Sequence, residues 1–330
     1  MKILALQLKR IGDAILTAPA LAALREEFPL AQITYVVHGA AGELGAAFSA
    51  ADHVRTYRPN RPNLRLWTGL VAGGWDLCLD FTGSDRSAVM ARMSRAHAVV
   101  GYRKFVEKHA WRTHGYTRLC DASVRDRHTV DFHLALVAEA LGKTVAPEDT
   151  GFLVPEIRKS AVSGLPVEPF VVVQPGSARA EKLWPAERWA EALSGVSQPI
   201  VLTGSAAADE QAHIGSIKAA MGAAAGRVID LSGRLCLLQL ARVLHDARLV
   251  LTVDSAAMHL AALAERPQIA LFGPTNPFHW RPRHPAATIL LAGAGRISEF
   301  SPRHTPAPMT DLPASTVAAA IAEKLATGPA

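Results

Sequence analysis

Cysteine is scarce in this chain. Cys78, Cys120 and Cys236 are the three among 330 residues, and no two of them form a Cys-x-x-Cys pair. So few, so scattered and odd in number, they exclude a disulfide framework and a thiolate zinc site and fit a reducing cytosol. Long apolar runs are also missing, since none reaches the about 18 residues that a membrane span needs. The opening stretch, MKILALQLKR, is too short and too interrupted for a secretory signal and reads as a first strand. There is no Gly-x-Gly-x-x-Gly and no Walker lysine motif, which argues against a dinucleotide fingerprint or a P-loop. Asp-x-Asp, a spacing that can hold a divalent ion on a diphosphate, is absent as well. That favours a cationic side chain and a helix dipole, with no metal, as the partners of any diphosphate.

What is present suggests two domains, and an apolar content of 49% allows each its own core. The net charge of +6 is uneven. Between Arg55 and Arg127 there are 14 Lys/Arg against 6 Asp/Glu, a larger excess than in the whole chain. A basic first half implies an anionic partner, such as a phosphorylated lipid or an acidic sugar. No helix-turn-helix, RNA-recognition signature or finger spacing accompanies it, so nucleic acid is not expected as a partner.

Strand and helix patterns alternate through both halves, which predicts an α/β fold of two doubly wound, Rossmann-like domains facing each other across a cleft. The expected domains are 1–155 and 166–312, with prolines 155 and 166 in the linker between them. A final helix, 313–330, is expected to pack back on the first domain. In the first domain, Ile3 to Leu8 is the expected first strand, Lys9 to Asp13 a loop, and Ala14 to Glu27 a helix. Asp13 then lies at or near the helix N-cap, either as the cap or as a carboxylate aimed into the cleft. The basic, aromatic segment Lys104 to Arg127 reads as a long loop or lid. His128 and His133 are five apart, not the four that favours a shared metal on one helix face.

The densest signal is residues 249–277, LVLTVDSAAMHLAALAERPQIALFGPTNP, read as strand, turn, helix, strand and turn. Its two turns fall at the carboxyl edge of a parallel sheet, where open α/β sheets place their ligands. Asp254 and Ser255 precede the helix, whose first N–H groups lack partners and suit a phosphate. Ser255 adds a hydroxyl, and Ala256 and Ala257 let an anion approach the backbone. Asp254 would repel a diphosphate, so it either caps the helix or accepts from a sugar hydroxyl. Similar loops occur at Pro175-Gly176-Ser177, Thr203-Gly204-Ser205 and Gly273-Pro274-Thr275. Lys182, just ahead of another helix, is within reach of the first of these and could neutralise a leaving diphosphate.

Taken together, Arg10-Ile11-Gly12-Asp13 with Pro19, Gln174-Pro175-Gly176-Ser177 with Lys182-Leu183-Trp184-Pro185, Val253-Asp254-Ser255-Ala256-Ala257-Met258-His259-Leu260-Ala261, and Phe272-Gly273-Pro274-Thr275 resemble glycosyltransferase family 9. The resemblance runs from about residue 1 to residue 325, with the motifs in the family's order. Its best-known members are the ADP-heptose:lipopolysaccharide heptosyltransferases. The resemblance implies a GT-B arrangement, with nucleotide sugar on the second domain and acceptor on the first. It also implies inversion at the anomeric carbon without a metal or other cofactor, with ADP-heptose as co-substrate. Asp13 would be the general base, and Lys182 and Ser177 would hold the donor phosphates. The Ser255 to Ala257 amides and His259 would complete the diphosphate cradle, and Asp254 would meet the donor sugar or cap the helix. Leu235 would line the base, Asp209 or Glu210 would reach the ribose, and Thr203, Gly204 and Thr275 would belong to the donor loops. Arg10, Arg86 and Arg103 would meet an anionic, lipid-linked sugar acceptor at the inner face of the inner membrane, from the cytoplasmic side.

This chain has Ala256-Ala257 where the family usually has Gly-Pro, and Pro308-Met309 with no nearby cysteine where many members end in Cys-Met. Other readings of the same residues are a different nucleotide sugar, a protein acceptor, a sugar-nucleotide epimerase, or a binding protein without turnover. The Ala-rich helices leave the oligomeric state open.

Overall fold

The structure is a computed structural model and describes residues 1–152 and 154–327. The chain divides into two compact units, Met1–Glu156 and Ile157–Ala330.

The first unit is built on a parallel sheet of β1 (Lys2–Gln7), β2 (Gln32–His38), β3 (His53–Tyr57), β4 (Leu77–Asp80), β5 (Ala98–Tyr102) and β6 (Arg118–Cys120), in the order β3-β2-β1-β4-β5-β6. The apolar run Ile3 to Leu6 is wholly buried, as a central parallel strand requires. α1 (Ile11–Glu27) joins β1 to β2, and α2 (Leu64–Ala72) joins β3 to β4. α3 (Asp85–Ser94) joins β4 to β5, and two one-turn helices, α4 (Arg103–Val106) and α5 (Ala110–Thr113), join β5 to β6. α6 (Thr129–Leu141) follows β6 and packs on α1. Strand order runs outward in both directions from β1 and β4. Right-handed crossovers therefore put α1 on one face and α2 to α5 on the other. Side chains agree: Tyr35 donates to the Ala14 carbonyl oxygen on one face, while Asp80 accepts from Ser87 of α3 on the other.

Two expectations change here. α1 begins at Ile11, so Asp13 is the third residue of its first turn and not the cap; Arg10 is the N-cap residue and makes no side-chain capping bond. Most of the expected lid is folded: α4, α5 and β6 occupy 103–120, and the irregular part is 121–127. Arg112 is buried and donates to Asp85 Oδ1 at 2.6 Å and to the Phe105 carbonyl oxygen at 2.7 Å, which ties α5 to α3 and α4.

The second unit starts in α7 (Val154–Arg158), where Ile157 is buried and Arg158 Nε donates to His245 Nε2 at 3.2 Å. Part of the segment read as linker is therefore anchored in this unit. Its sheet comprises β7 (Val171–Gln174), β8 (Ile200–Leu202), β9 (Val228–Asp230), β10 (Leu249–Val253), β11 (Gln268–Phe272), β12 (Ala287–Leu291) and β13 (Gly295–Ile297). The order is β13-β12-β11-β10-β7-β8-β9, all parallel except the β12–β13 pair. The helices are α8 (Ala186–Leu193), α9 (Ala208–Met221), α10 (Leu237–Asp246), α11 (Ala256–Leu263), α12 (Pro277–Trp280) and α13 (Ala314–Ala326).

A core cluster of this unit centres on Trp184 and Trp189, both fully buried with rings edge-to-face at 5.0 Å. Trp184 Nε1 donates to the Leu312 carbonyl oxygen at 3.0 Å, and Val317 and Ile321 of α13 complete the cluster. Such an aromatic pair adds about 1 kcal/mol beyond its burial. This corrects the expectation for the terminal helix: α13 packs on α8 and spends its apolar stripe in the core of the second unit.

Candidate active site

Each sheet has one point where its strand order reverses. In the first it lies between β1 and β4, in the second between β7 and β10. Loops leaving the carboxyl ends of such neighbouring strands part in opposite directions and leave a crevice for ligands. Asp13 follows β1 at the first of these points, and Lys182 and Asp254 meet at the second.

In the first unit, the β1 and β4 loops are joined by the Leu8 N–H, which donates to Thr82 Oγ1 at 2.7 Å. Asp13 stands at this point, in the first turn of α1. Burial pushes its pKa above the ordinary 3.8, opposed first by the nearby Lys9 charge and then by the Arg10 amide. A carboxylate raised in this way is a better proton acceptor than a solvated one. Lys9 itself lies over the Phe105 ring, 5.3 Å from its centroid.

A second carboxylate at the same edge was not singled out from the sequence. Asp80 is fully buried and accepts from Tyr116 Oη at 2.6 Å, Ser87 Oγ at 2.8 Å, and the N–H groups of Thr82 at 2.9 Å and Gly83 at 3.1 Å. Burial raises its pKa against these four bonds. Its acceptor capacity is consumed in holding the turn, so it braces the edge and is not free to act as a base. The signal for it was an acid ending an apolar strand just before Thr-Gly-Ser.

The three arginines expected to meet an acceptor differ. Arg10 is exposed. Arg86 lies over the Tyr57 ring at 4.9 Å. Arg103 is held by Asp121 at 2.5 Å and Glu107 at 2.9 Å, so its charge is already matched. An open cavity of about 760 Å³ is lined by Arg58, Arg61 and Arg65.

In the second unit, Lys182 and Asp254 meet at the switch point although they are 72 residues apart. Lys182 Nζ donates to Asp254 Oδ2 at 2.6 Å, and Thr275 Oγ1 donates to the same oxygen at 2.7 Å. The side chains of Lys182 and Asp254 are only 12% and 9% exposed, so little water screens the pair. The carboxylate is thus engaged by Lys182 and Thr275. Ser255 is the N-cap residue of α11 and makes no side-chain capping bond; its hydroxyl lies 3.1 Å from Thr252 Oγ1. This sets aside the reading of Asp254 as the cap. The first N–H groups of α11, at Ala256 and Ala257, are without a side-chain cap, as an anion site needs.

His259, one turn into α11, is buried, and its pKa falls to about 4, chiefly through desolvation; Asp254 pulls it up and Lys182 pushes it down. The expectation for the cradle is amended accordingly. At neutral pH His259 is a neutral imidazole that offers one N–H and no charge.

The remaining donor loops form one buttress. Thr203 is fully buried and donates to Gln174 Oε1 at 2.8 Å, Gln174 donates to Glu210 Oε1 at 2.9 Å, and Ser205 donates to Glu210 Oε2. Thr203 therefore supports the edge and has no surface for a ligand. Glu210 is held inward by Gln174 and Ser205, whereas Asp209 is exposed at the start of α9. A Cβ at Gly176 would fall 1.7 Å from Glu210 Oε1, and one at Gly204 would fall 2.7 Å from Ile214 Cδ1. Glycine at both positions leaves room for the Glu210 carboxylate, and at Gly204 for Ile214 as well. Ser177 and Leu235 are half-buried beside these loops. Among the described residues, no three His, Cys, Asp or Glu side chains converge as a metal site.

Residues 63–306 match the model of glycosyltransferase family 9 (heptosyltransferase). The chain belongs to this family. It is 26% identical over 309 residues to lipopolysaccharide heptosyltransferase 3 of Escherichia coli K12, covering 89% of this chain and 88% of that protein. It is 29% identical over 293 residues to lipopolysaccharide heptosyltransferase 1 of Pseudomonas aeruginosa, covering 84% and 80%. The E. coli heptosyltransferase WaaC with ADP has the same fold, with a TM-score of 0.77 at 22% identity over 98% of this chain and all of that one (100%). As a family 9 protein the chain is a glycosyltransferase of the heptosyltransferase type, and both of its switch points carry polar groups suited to group transfer.

Proposed function

We propose that this family 9 enzyme transfers heptose from ADP-heptose to a lipopolysaccharide inner-core acceptor, with inversion and without a metal. The observation that carries the reading is the shielded Lys182–Asp254 pair beside the uncapped N-terminus of α11. Its lysine and amides suit a diphosphate and its carboxylate suits a sugar hydroxyl. The names of the relatives, and the ADP bound by one neighbour, favour ADP-heptose over other donors.

In this mechanism the donor diphosphate takes the first amides of α11 and draws the Lys182 ammonium from Asp254. Asp254, still held by Thr275, is released toward the donor sugar. Ser177 and the neutral N–H of His259 add hydrogen bonds to the phosphates, and Leu235 packs against the base. An acceptor hydroxyl attacks the anomeric carbon while the bond from that carbon to the diphosphate oxygen breaks. Asp13 takes the hydroxyl proton, and the electron pair leaves with ADP, whose growing charge is met by Lys182 and the helix dipole. The acceptor lies on the first unit, where Arg10 and Arg86 supply charge. The work is done on the cytoplasmic side, at the membrane surface that holds the lipid-linked acceptor.

Calorimetric titration with ADP, UDP, GDP and ADP-heptose tests the donor. Preference for ADP and ADP-heptose is expected. Preference for UDP or GDP would move the enzyme to another sugar, and conversion of ADP-heptose without any acceptor would make it an epimerase.

A further inference from the structure

We infer that the α2–α3–α5 face of the first unit is a docking surface for an anionic phospholipid bilayer. Among the described residues this face carries four of seven exposed large apolar side chains: Leu64 at 71%, Val71 at 42%, Val89 at 39% and Trp111 at 45%. A surface helix ordinarily turns its apolar stripe inward and its charges out. α2, LRLWTGLVA, packs Leu66, Trp67 and Leu70 inward but adds apolar side chains on its outer face. Leu70 points into the core, while Leu64 and Val71, two turns apart, point to solvent, and the helix contains no acid. Trp111 is exposed on α5, which Arg112 locks to α3 through Asp85, so the indole is presented on a stiff support.

Charge selects the occupant. The two acids on this face are taken, Asp85 by Arg112 and Glu107 by Arg103. Arg65, Arg92, Arg95, Lys104 and Lys108 stand exposed, and among the described residues no carboxylate forms an ion pair with them. The turn after α5 adjoins Arg92, since a Cβ at Gly115 would lie 3.5 Å from Arg92 Cβ, so the basic and apolar groups form one surface. A bilayer takes both, with lysines and arginines at anionic headgroups and Trp with short apolar side chains at the headgroup–acyl boundary. Docking here would hold the first unit at the membrane that carries its proposed acceptor. In that purpose, though not in its physics, the inference rests on the proposed function.

The test uses the full chain and vesicles that contain neither donor nor acceptor. Flotation is measured with phosphatidylethanolamine vesicles containing about one quarter phosphatidylglycerol, and with neutral phosphatidylcholine vesicles. Binding to the anionic vesicles is expected, about tenfold weaker at about 0.5 M salt or on neutral vesicles. The Val71→Ser/Trp111→Ser variant should bind about tenfold more weakly than wild type, because both apolar contacts are lost. A Leu30→Ser variant removes an exposed side chain in the α1–β2 turn, outside α2, α3 and α5, and should bind like wild type. No vesicle binding, equal binding to neutral vesicles, or equal loss in the second variant would overturn the inference. Transfer to a delipidated acceptor reads the proposed function separately. Transfer without vesicle binding refutes docking alone, and vesicle binding without transfer supports docking while refuting the heptose reading.

Discussion

The Lys182–Asp254 pair makes a prediction in which stability and binding part company. Lys182→Met removes the ammonium and leaves the Asp254 carboxyl about nine-tenths buried, with the Thr275 hydroxyl as its remaining side-chain partner among the described residues. Breaking a buried pair on one side costs about 3–5 kcal/mol, and the remaining hydroxyl favours the lower figure, about 3 kcal/mol. For a unit of this size that lowers the Tm by roughly 6–12 °C, read by scanning calorimetry. Asp254→Asn in the Lys182→Met background removes the orphaned charge, keeps the bond from Thr275, and should recover most of that loss. ADP binding should behave differently. Both the single and the double variant lack the cation, and a hydrogen bond to a charged group is worth about 1.5–3 kcal/mol. Kd for ADP should therefore rise roughly ten- to hundredfold in both, without rescue. If the double variant is no more stable than Lys182→Met, the two groups are not coupled as described. If it regains ADP affinity, Lys182 does not hold the phosphates.

Two further outcomes follow from titration. The folded-state pKa of Asp13 is raised above 3.8, so the folded protein binds the proton more tightly than the unfolded chain, and this carboxylate lowers stability as pH rises through that window. Asp13→Asn should therefore raise the Tm at neutral pH, with the gain fading below pH 3.8, while transfer falls about 10²–10⁴-fold and ADP binding is unchanged; near-normal turnover would remove Asp13 as the base. His259 has the opposite sign: its pKa falls from 6.5 to about 4, so stability is lost as pH drops through that window. At 1.36 kcal/mol per pH unit this is worth roughly 3 kcal/mol, and His259→Gln should flatten urea-measured stability between those pH values; an unchanged slope would refute the buried neutral imidazole.

Much of the architecture was legible because parallel strands buried on both faces write continuous apolar runs, as in Val171 to Val173 and Leu249 to Val253. The start of α1 was not. Gly12 looks like a turn, and Arg10 offers no capping side chain, so the helix begins three residues earlier than composition suggests. The 103–120 segment looked irregular because its order comes from one buried guanidinium, Arg112, reaching Asp85. The terminal helix was misplaced because an apolar stripe does not name the core that it enters. In the site, loop residues were recognisable by type, but their partners were not. Thr203 reads like a ligand-binding hydroxyl, yet it is spent on Gln174, and the pairing of Lys182 with Asp254 depends on strand order.

That dependence explains why the site residues occur where they do. β7 and β10 are far apart in sequence but adjacent in the sheet, and their following loops turn to opposite faces. A side chain from each can therefore meet over the shared edge without a covering helix. The same holds for β1 and β4, where the Leu8 amide finds the Thr82 hydroxyl. The two edges are then tuned in opposite ways. At the first, burial raises a carboxylate's pKa, which suits the proton acceptor of the proposed mechanism. At the second, a carboxylate is matched to a lysine, the cation that the proposed mechanism hands to the donor diphosphate. A proton acceptor and an anion acceptor call for opposite electrostatics, and a chain that folds each on its own sheet can tune one without disturbing the other.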